Sequence, residues 1–86
     1  MKKILIFGAG RIACPCAKYL LKCPEYNVIV VDKNSQNANR VINGHPRGTI
    51  IVEDAVSGAK GLINKIEPDV IICLLPSQFM VYIAKL

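Results

Sequence analysis

Tryptophan is absent from these 86 residues, three Tyr and two Phe supply all the aromatic surface, and histidine occurs once. Aromatics this sparse do not alternate with the scattered lysines as a base-stacking platform would require, so nucleic acid is not an expected partner. The chain has no run of about twenty uninterrupted apolar residues, which excludes a helix spanning a bilayer. No Cys-x-x-Cys pair occurs among Cys14, Cys16, Cys23 and Cys73. Cys14 and Cys16 fall on an expected helix, where two residues of separation turn their side chains about 200° apart and away from any shared metal. No metal site is expected, and the thiols read as reduced, small apolar side chains rather than a disulfide scaffold. A phosphate loop of the Gly-x-x-x-x-Gly-Lys-Ser/Thr type is also missing, since the cluster around Gly58, Lys60 and Gly61 has the wrong spacing.

Acidic residues are few, six against eleven Lys and Arg, and the net charge of +5 suits a small anionic ligand. A hydrophobic fraction of 52% excludes disorder, and the length allows one small core. Met1-Lys2-Lys3 followed by Ile4-Leu5-Ile6-Phe7 imitates the start of a secretory leader, but Gly8, Gly10 and Arg11 interrupt the apolar core. A cytoplasmic location is the expectation.

Two hydrophobic periods alternate along the chain. Ile4–Phe7, Val28–Val31, Thr49–Val52 and Val70–Leu75 are continuous β-favouring runs, which predict four strands buried on both faces. Between them, four-residue steps predict helices. Ile12, Cys16 and Leu20, with Ala13, Ala17 and Leu21 beside them, form the stripe of a helix reaching about Cys23 before Pro24. Asn34-Ser35 caps a second helix carrying Ala38, Val41 and Ile42, and Asn43-Gly44 ends it. Ala59, Leu62, Ile63 and Ile66 mark a third, stopped by Pro68, and Phe79, Met80, Ile83 and Ala84 mark a fourth after Pro76-Ser77. The order β-α-β-α-β-α-β-α, with short connections, predicts an α/β fold of the Rossmann type, a parallel sheet with helices on both faces.

Gly8-Ala9-Gly10-Arg11-Ile12-Ala13 fits Gly-x-Gly-x-x-Ala and lies between the first strand and the first helix. There the first glycine permits a tight turn, the second lets a pyrophosphate approach the backbone, and the alanine lets the helix pack closely on the strand. The helix start, with Arg11 and Ile12, offers free N–H groups to phosphate. Asp32 follows Gly10 by twenty-two residues, at the end of the second strand, where a carboxylate can accept both hydroxyl protons of an adenosine ribose. The same charge repels a 2′-phosphate and favours NAD, while Lys33, turned inward, would neutralise one and leaves NADP open.

Ligand contacts in an open parallel sheet gather at the carboxyl ends of the strands. That directs attention to Asp54 and Ala55 after the third strand, where Asp54 either faces an adenine edge or caps the next helix. It also directs attention to Leu74, Leu75 and Pro76 after the fourth, where the central and nicotinamide parts of a dinucleotide would pass. His45 reads as an exposed turn residue, and Ser77 has no neighbouring base to make it a nucleophile.

The segment Ile4 to Leu21, with Pro15 early in the helix, resembles the N-terminus of saccharopine dehydrogenases of the reductase-like group. Asp54 and the stretch Asp69-Val70-Ile71-Ile72-Cys73-Leu74-Leu75-Pro76, with Phe79 following, resemble the same family. The resemblance implies an NAD(P)-dependent oxidoreductase that acts on the C–N bond of an amino-acid substrate by hydride transfer. It also implies that the catalytic groups lie beyond residue 86, so residues 1–86 read as an incomplete NAD(P)-binding domain, the N-terminal part of a longer protein. Binding without turnover is expected of this part alone, and association into a homodimer through the sheet edge and last helix is a further expectation. Two other readings use the same turn: a non-catalytic NAD(H)-sensing module and a flavin-binding domain.

Overall fold

The computed structural model describes residues 2–10 and 12–74. Four strands, β1 (Lys2–Phe7), β2 (Tyr26–Asp32), β3 (Gly48–Val52) and β4 (Val70–Cys73), alternate with three helices, α1 (Ala13–Leu21), α2 (Ser35–Ile42) and α3 (Ala59–Ile66). All pairings are parallel, in the order β3-β2-β1-β4. Ile4 of β1 stands between Val28 and Val70, and Phe7 between Val31 and Cys73. The fold is the expected Rossmann-like α/β layer structure.

Alternation along the strands explains how one sheet serves helices on both sides. Ile4, Ile6, Val28 and Val30 point to the face covered by α1 and α2, where Ala13, Ala17, Leu21, Ala38, Val41 and Ile42 meet them. Leu5, Phe7 and Val31 point to the other face and pack with Ala55, Ala59 and Leu62 from α3 and the loop before it. The chain moves from β1 to β3 in one direction and then crosses back to β4, so connections of one hand put α3 on the opposite side from α1 and α2. Phe7 is fully buried, and truncating such a side chain to Ala costs about 3–5 kcal/mol.

Two sequence expectations are corrected. Only the central strands carry fully buried residues: β3 is at most half-buried, and Val70 and Ile71 of β4 are 46% and 40% exposed. They flank a four-stranded sheet covered by three helices, so among the described residues the edges have less to pack against. The buried stripe of α1 is Ala13, Ala17 and Leu21, with Cys16 and Leu20 beside it, while Ile12 is 70% exposed. Ile12 is the N-cap residue, outside the first helical turn, and its side chain does not share the stripe.

Helix ends follow their local chemistry. The Asn34 side chain accepts a hydrogen bond from the Asn37 amide at 3.1 Å and starts α2. Asn43 (φ 50°) and Gly44 (φ 72°) end it in left-handed conformations. Glu67 (φ 52°) ends α3 in the same way, directly before Pro68. The expected continuation of β4 into Leu75 and the fourth helix after Pro76-Ser77 lie outside the described residues.

Candidate dinucleotide-binding site

The turn after β1 lies at the carboxyl edge of the sheet, beside the point where strand order reverses between β1 and β4. Its floor is fixed by two backbone bonds: the Gly8 amide donates to the Val31 carbonyl of β2 at 2.9 Å, and the Leu74 amide donates to the Phe7 carbonyl at 2.8 Å. Gly8 has φ 100°, a conformation that side chains strongly disfavour, so the first glycine is required by the turn itself.

The second glycine has a different reason. A Cβ placed on Gly10 would meet no atom within 4 Å, and Gly10 is not among the residues with positive φ. The fold does not demand glycine there. The open space above its backbone is what a pyrophosphate needs for close approach. Ala13 has no exposed surface and packs α1 against Ile4, Ile6, Val28 and Val30. The Ala13 amide donates to the Gly10 carbonyl at 3.1 Å, which joins turn to helix.

The start of α1 carries no local counter-charge. No acidic residue lies in the first turn and no side chain caps it, so the partial positive charge of the helix end is not neutralised locally. Pro15 falls in this first turn, where a missing N–H costs no helical bond. Ile12 has its side chain exposed at the mouth of the turn, and Arg11 lies outside the described residues.

Asp32 ends β2 and stands beside the glycine turn. One carboxylate oxygen accepts the Ala9 amide at 2.9 Å, and the other accepts the Asn34 amide at 2.7 Å. Ala9 and Asn34 therefore enter the site through their backbone, which no side-chain pattern reveals. The one signal in the sequence is that Asn34 follows Asp32 by two residues, the spacing of an Asx turn.

Lys33 is exposed, and its charge acts on Asp54 across the carboxyl edge. The Asp54 carboxylate accepts the amides of Val56 at 2.9 Å and Ser57 at 3.0 Å, so its side chain caps the turn that leads into α3. Those two amides, Ser57's foremost, hold its carboxyl below the ordinary aspartate range. Ala55 is buried against Ala59, Leu62 and Phe7, and Leu74 is half-buried on the α1 side of the sheet. Leu75 and Pro76 lie outside the described residues.

Two open grooves lie elsewhere. One of about 270 Å³ is lined by Lys18, Lys22 and His45 among others, and one of about 400 Å³ by Glu53, Gly58 and Lys65 among others. Neither includes the glycine turn, and a dinucleotide is held by backbone amides along a sheet edge rather than inside a closed cavity. Among the described residues, no three His, Cys, Asp or Glu side chains gather as metal ligands, and no helix is long and apolar enough to cross a membrane.

No protein-family model and no curated protein matches the sequence. Solved structures do match. The chain superposes on an apo saccharopine dehydrogenase (L-Glu forming) from Saccharomyces cerevisiae with a TM-score of 0.81 and 28% identity, over 99% of this chain and 19% of that one. The resemblance to saccharopine dehydrogenase carried by the sequence motifs thus extends to three dimensions along nearly the whole chain, which spans about a fifth of the enzyme's length. A UDP-glucuronic acid 4-epimerase from Bacillus cereus, in complex with UDP-glucuronic acid and NAD, matches with a TM-score of 0.66 and 26% identity, over 84% of this chain and 26% of that one. The same epimerase in complex with NAD matches in fold with a TM-score of 0.66 and 24% identity, over 95% and 31%.

Proposed function

We propose that this chain is the dinucleotide-binding unit of an NAD(P)-dependent oxidoreductase that acts on the C–N bond of an amino acid. The observation that carries the reading is the pairing of an unfilled space above Gly10 with a carboxylate, Asp32, bonded to the same turn at Ala9. The Gly10 backbone and the start of α1 would receive the pyrophosphate, and Asp32 the adenosine ribose. When bound, the nicotinamide supplies hydride transfer, and the chain's part is to bind and orient it.

The amino-acid substrate rests on the likeness to saccharopine dehydrogenase, whose length far exceeds this chain. Four unpaired thiols fit a reducing compartment, which supports a cytoplasmic location. The negative charge of Asp32 faces the position a 2′-phosphate would take, so NAD is favoured over NADP.

Calorimetric titration of the chain with NADH and NADPH at equal salt tests the cofactor. Tighter NADH binding is expected; binding of neither nucleotide would overturn the assignment while leaving the fold intact. Screening a protein that contains this unit for NADH oxidation with lysine-derived amino acids and 2-oxo acids tests the substrate class.

A further inference from the structure

We propose that Asp32 is, besides a ribose acceptor, the positioning residue of the phosphate-binding turn: its carboxylate clasps the Ala9 amide and so holds Gly8-Ala9-Gly10 against β2. The inference rests on the dinucleotide reading above and deepens it.

Ala9 is 2% exposed, so its amide cannot rely on water. Gly8, with φ 100°, turns the chain out of the ladder, and the next N–H leaves the strand pairing. Asp32 supplies the acceptor at 2.9 Å across twenty-three residues of sequence. An unsatisfied buried amide would cost about 1–3 kcal/mol. Asp32 is itself held through both its backbone and its side chain. Its backbone carbonyl accepts the Glu53 amide at 3.1 Å, its backbone stands opposite Val52 of β3, and its second carboxylate oxygen accepts the Asn34 amide at 2.7 Å.

Each carboxylate oxygen has two acceptor sites, and the protein occupies one on each. The remaining pair is sufficient for the two hydroxyls of a ribose. One side chain therefore sets the ribose acceptor and the phosphate turn as a single unit. As a consequence, replacing Asp32 alone weakens the binding of NAD and NADP together, whatever it does to the preference between them, because the replacement also loosens the turn that both use.

The test compares wild type with Asp32→Ala and Asp32→Asn in binding of ADP and of 2′,3′-dideoxy-ADP, which lacks the hydroxyls. If Asp32 met only the ribose, the variants would bind the dideoxy nucleotide as well as wild type does. They would bind it better where loss of a negative charge helped the phosphates. The clasp predicts the opposite sign: about three- to tenfold weaker binding of the dideoxy nucleotide by Asp32→Ala, the worth of one hydrogen bond. Asp32→Asn, which keeps one oxygen acceptor, should lie between and guards against a variant that fails to fold.

Amide hydrogen exchange at Ala9 in the free chain provides a readout that needs no ligand. It should be slow in wild type and about tenfold or more faster in Asp32→Ala. Unchanged exchange, or unchanged dideoxy-ADP affinity, would overturn the clasp. A wild-type chain that binds neither NADH nor ADP would overturn the cofactor reading and the positioning role together, and slow Ala9 exchange would then mark the bond as a feature of the fold only.

Discussion

The guanidinium of Arg47 donates to the carbonyl of Leu21 at 2.6 Å, twenty-six residues earlier in the chain. The same group reaches the Tyr26 carbonyl at 3.0 Å and the Cys23 carbonyl. A side chain from the loop between α2 and β3 thus ties the last residue of α1, whose carbonyl is among those a helix end leaves without a helical partner, to the turn at Cys23 and the start of β2. Arg47→Ala is expected to lower stability by about 2 kcal/mol in urea denaturation. Arg47→Lys should recover less than half of it, because an ammonium lacks the planar fork that spans three carbonyls. A loss too small to resolve would mean that water replaces the guanidinium at no cost.

Gly10 separates fold from ligand. Since a Cβ there meets nothing within 4 Å, Gly10→Ala should change stability by no more than about 0.5 kcal/mol. NADH affinity should nevertheless fall about tenfold or more, and further in Gly10→Val, because the added carbon would occupy the space proposed for the pyrophosphate. A thermal melt and a calorimetric titration of the same samples check both halves. Normal NADH binding by Gly10→Val would remove the phosphate from this turn.

Asp54 gives a pH dependence of known sign. The amides of Ser57 and then Val56 lower its pKa, desolvation opposes them, and the charge of Lys33 adds to the lowering. Its pKa is therefore lower in the folded chain than in the unfolded one. The stability it contributes is complete above the unfolded aspartate value, about 3.9, and is lost as pH falls through the folded value. Titration of the Asp54 carboxyl carbon by NMR should give a midpoint below that of an unstructured peptide. A midpoint at or above it would contradict the cap.

Glu67 ends α3 at φ 52°, where a side chain is strained and the next residue is Pro68. Glu67→Gly should raise stability by about 0.5–1 kcal/mol, the relief exceeding the added freedom of the unfolded chain. The bond from its amide to the Ile63 carbonyl at 2.9 Å does not depend on the side chain and is retained. Asn43, at φ 50°, should gain little from the same change, because Asn tolerates this region. Paired thermal melts of the two variants test the difference.

Much of this molecule is legible in its sequence. The alternation of continuous apolar runs with four-residue periods, the caps at Asn34 and Asn43, and the glycines at 8 and 10 each act within a few residues of chain, so the sequence by itself determined the seven described elements, their order and the position of the turn. What it misses or leaves open lies where neighbours decide. Val70 and Ile71 are as apolar as Ile4 and Leu5, yet they sit on an edge strand and stay exposed. Asp54 carries no mark in the sequence to choose between a ligand and the amides of Val56 and Ser57. Arg47 resembles any surface arginine until three carbonyls, from α1, β2 and the turn between them, converge on it. Only the tertiary structure brings Asp32 to the amide of Ala9 and leaves the space above Gly10 open. Both depend on pairing β1 beside β2, a contact between segments more than twenty residues apart, and local propensity carries no information about that distance.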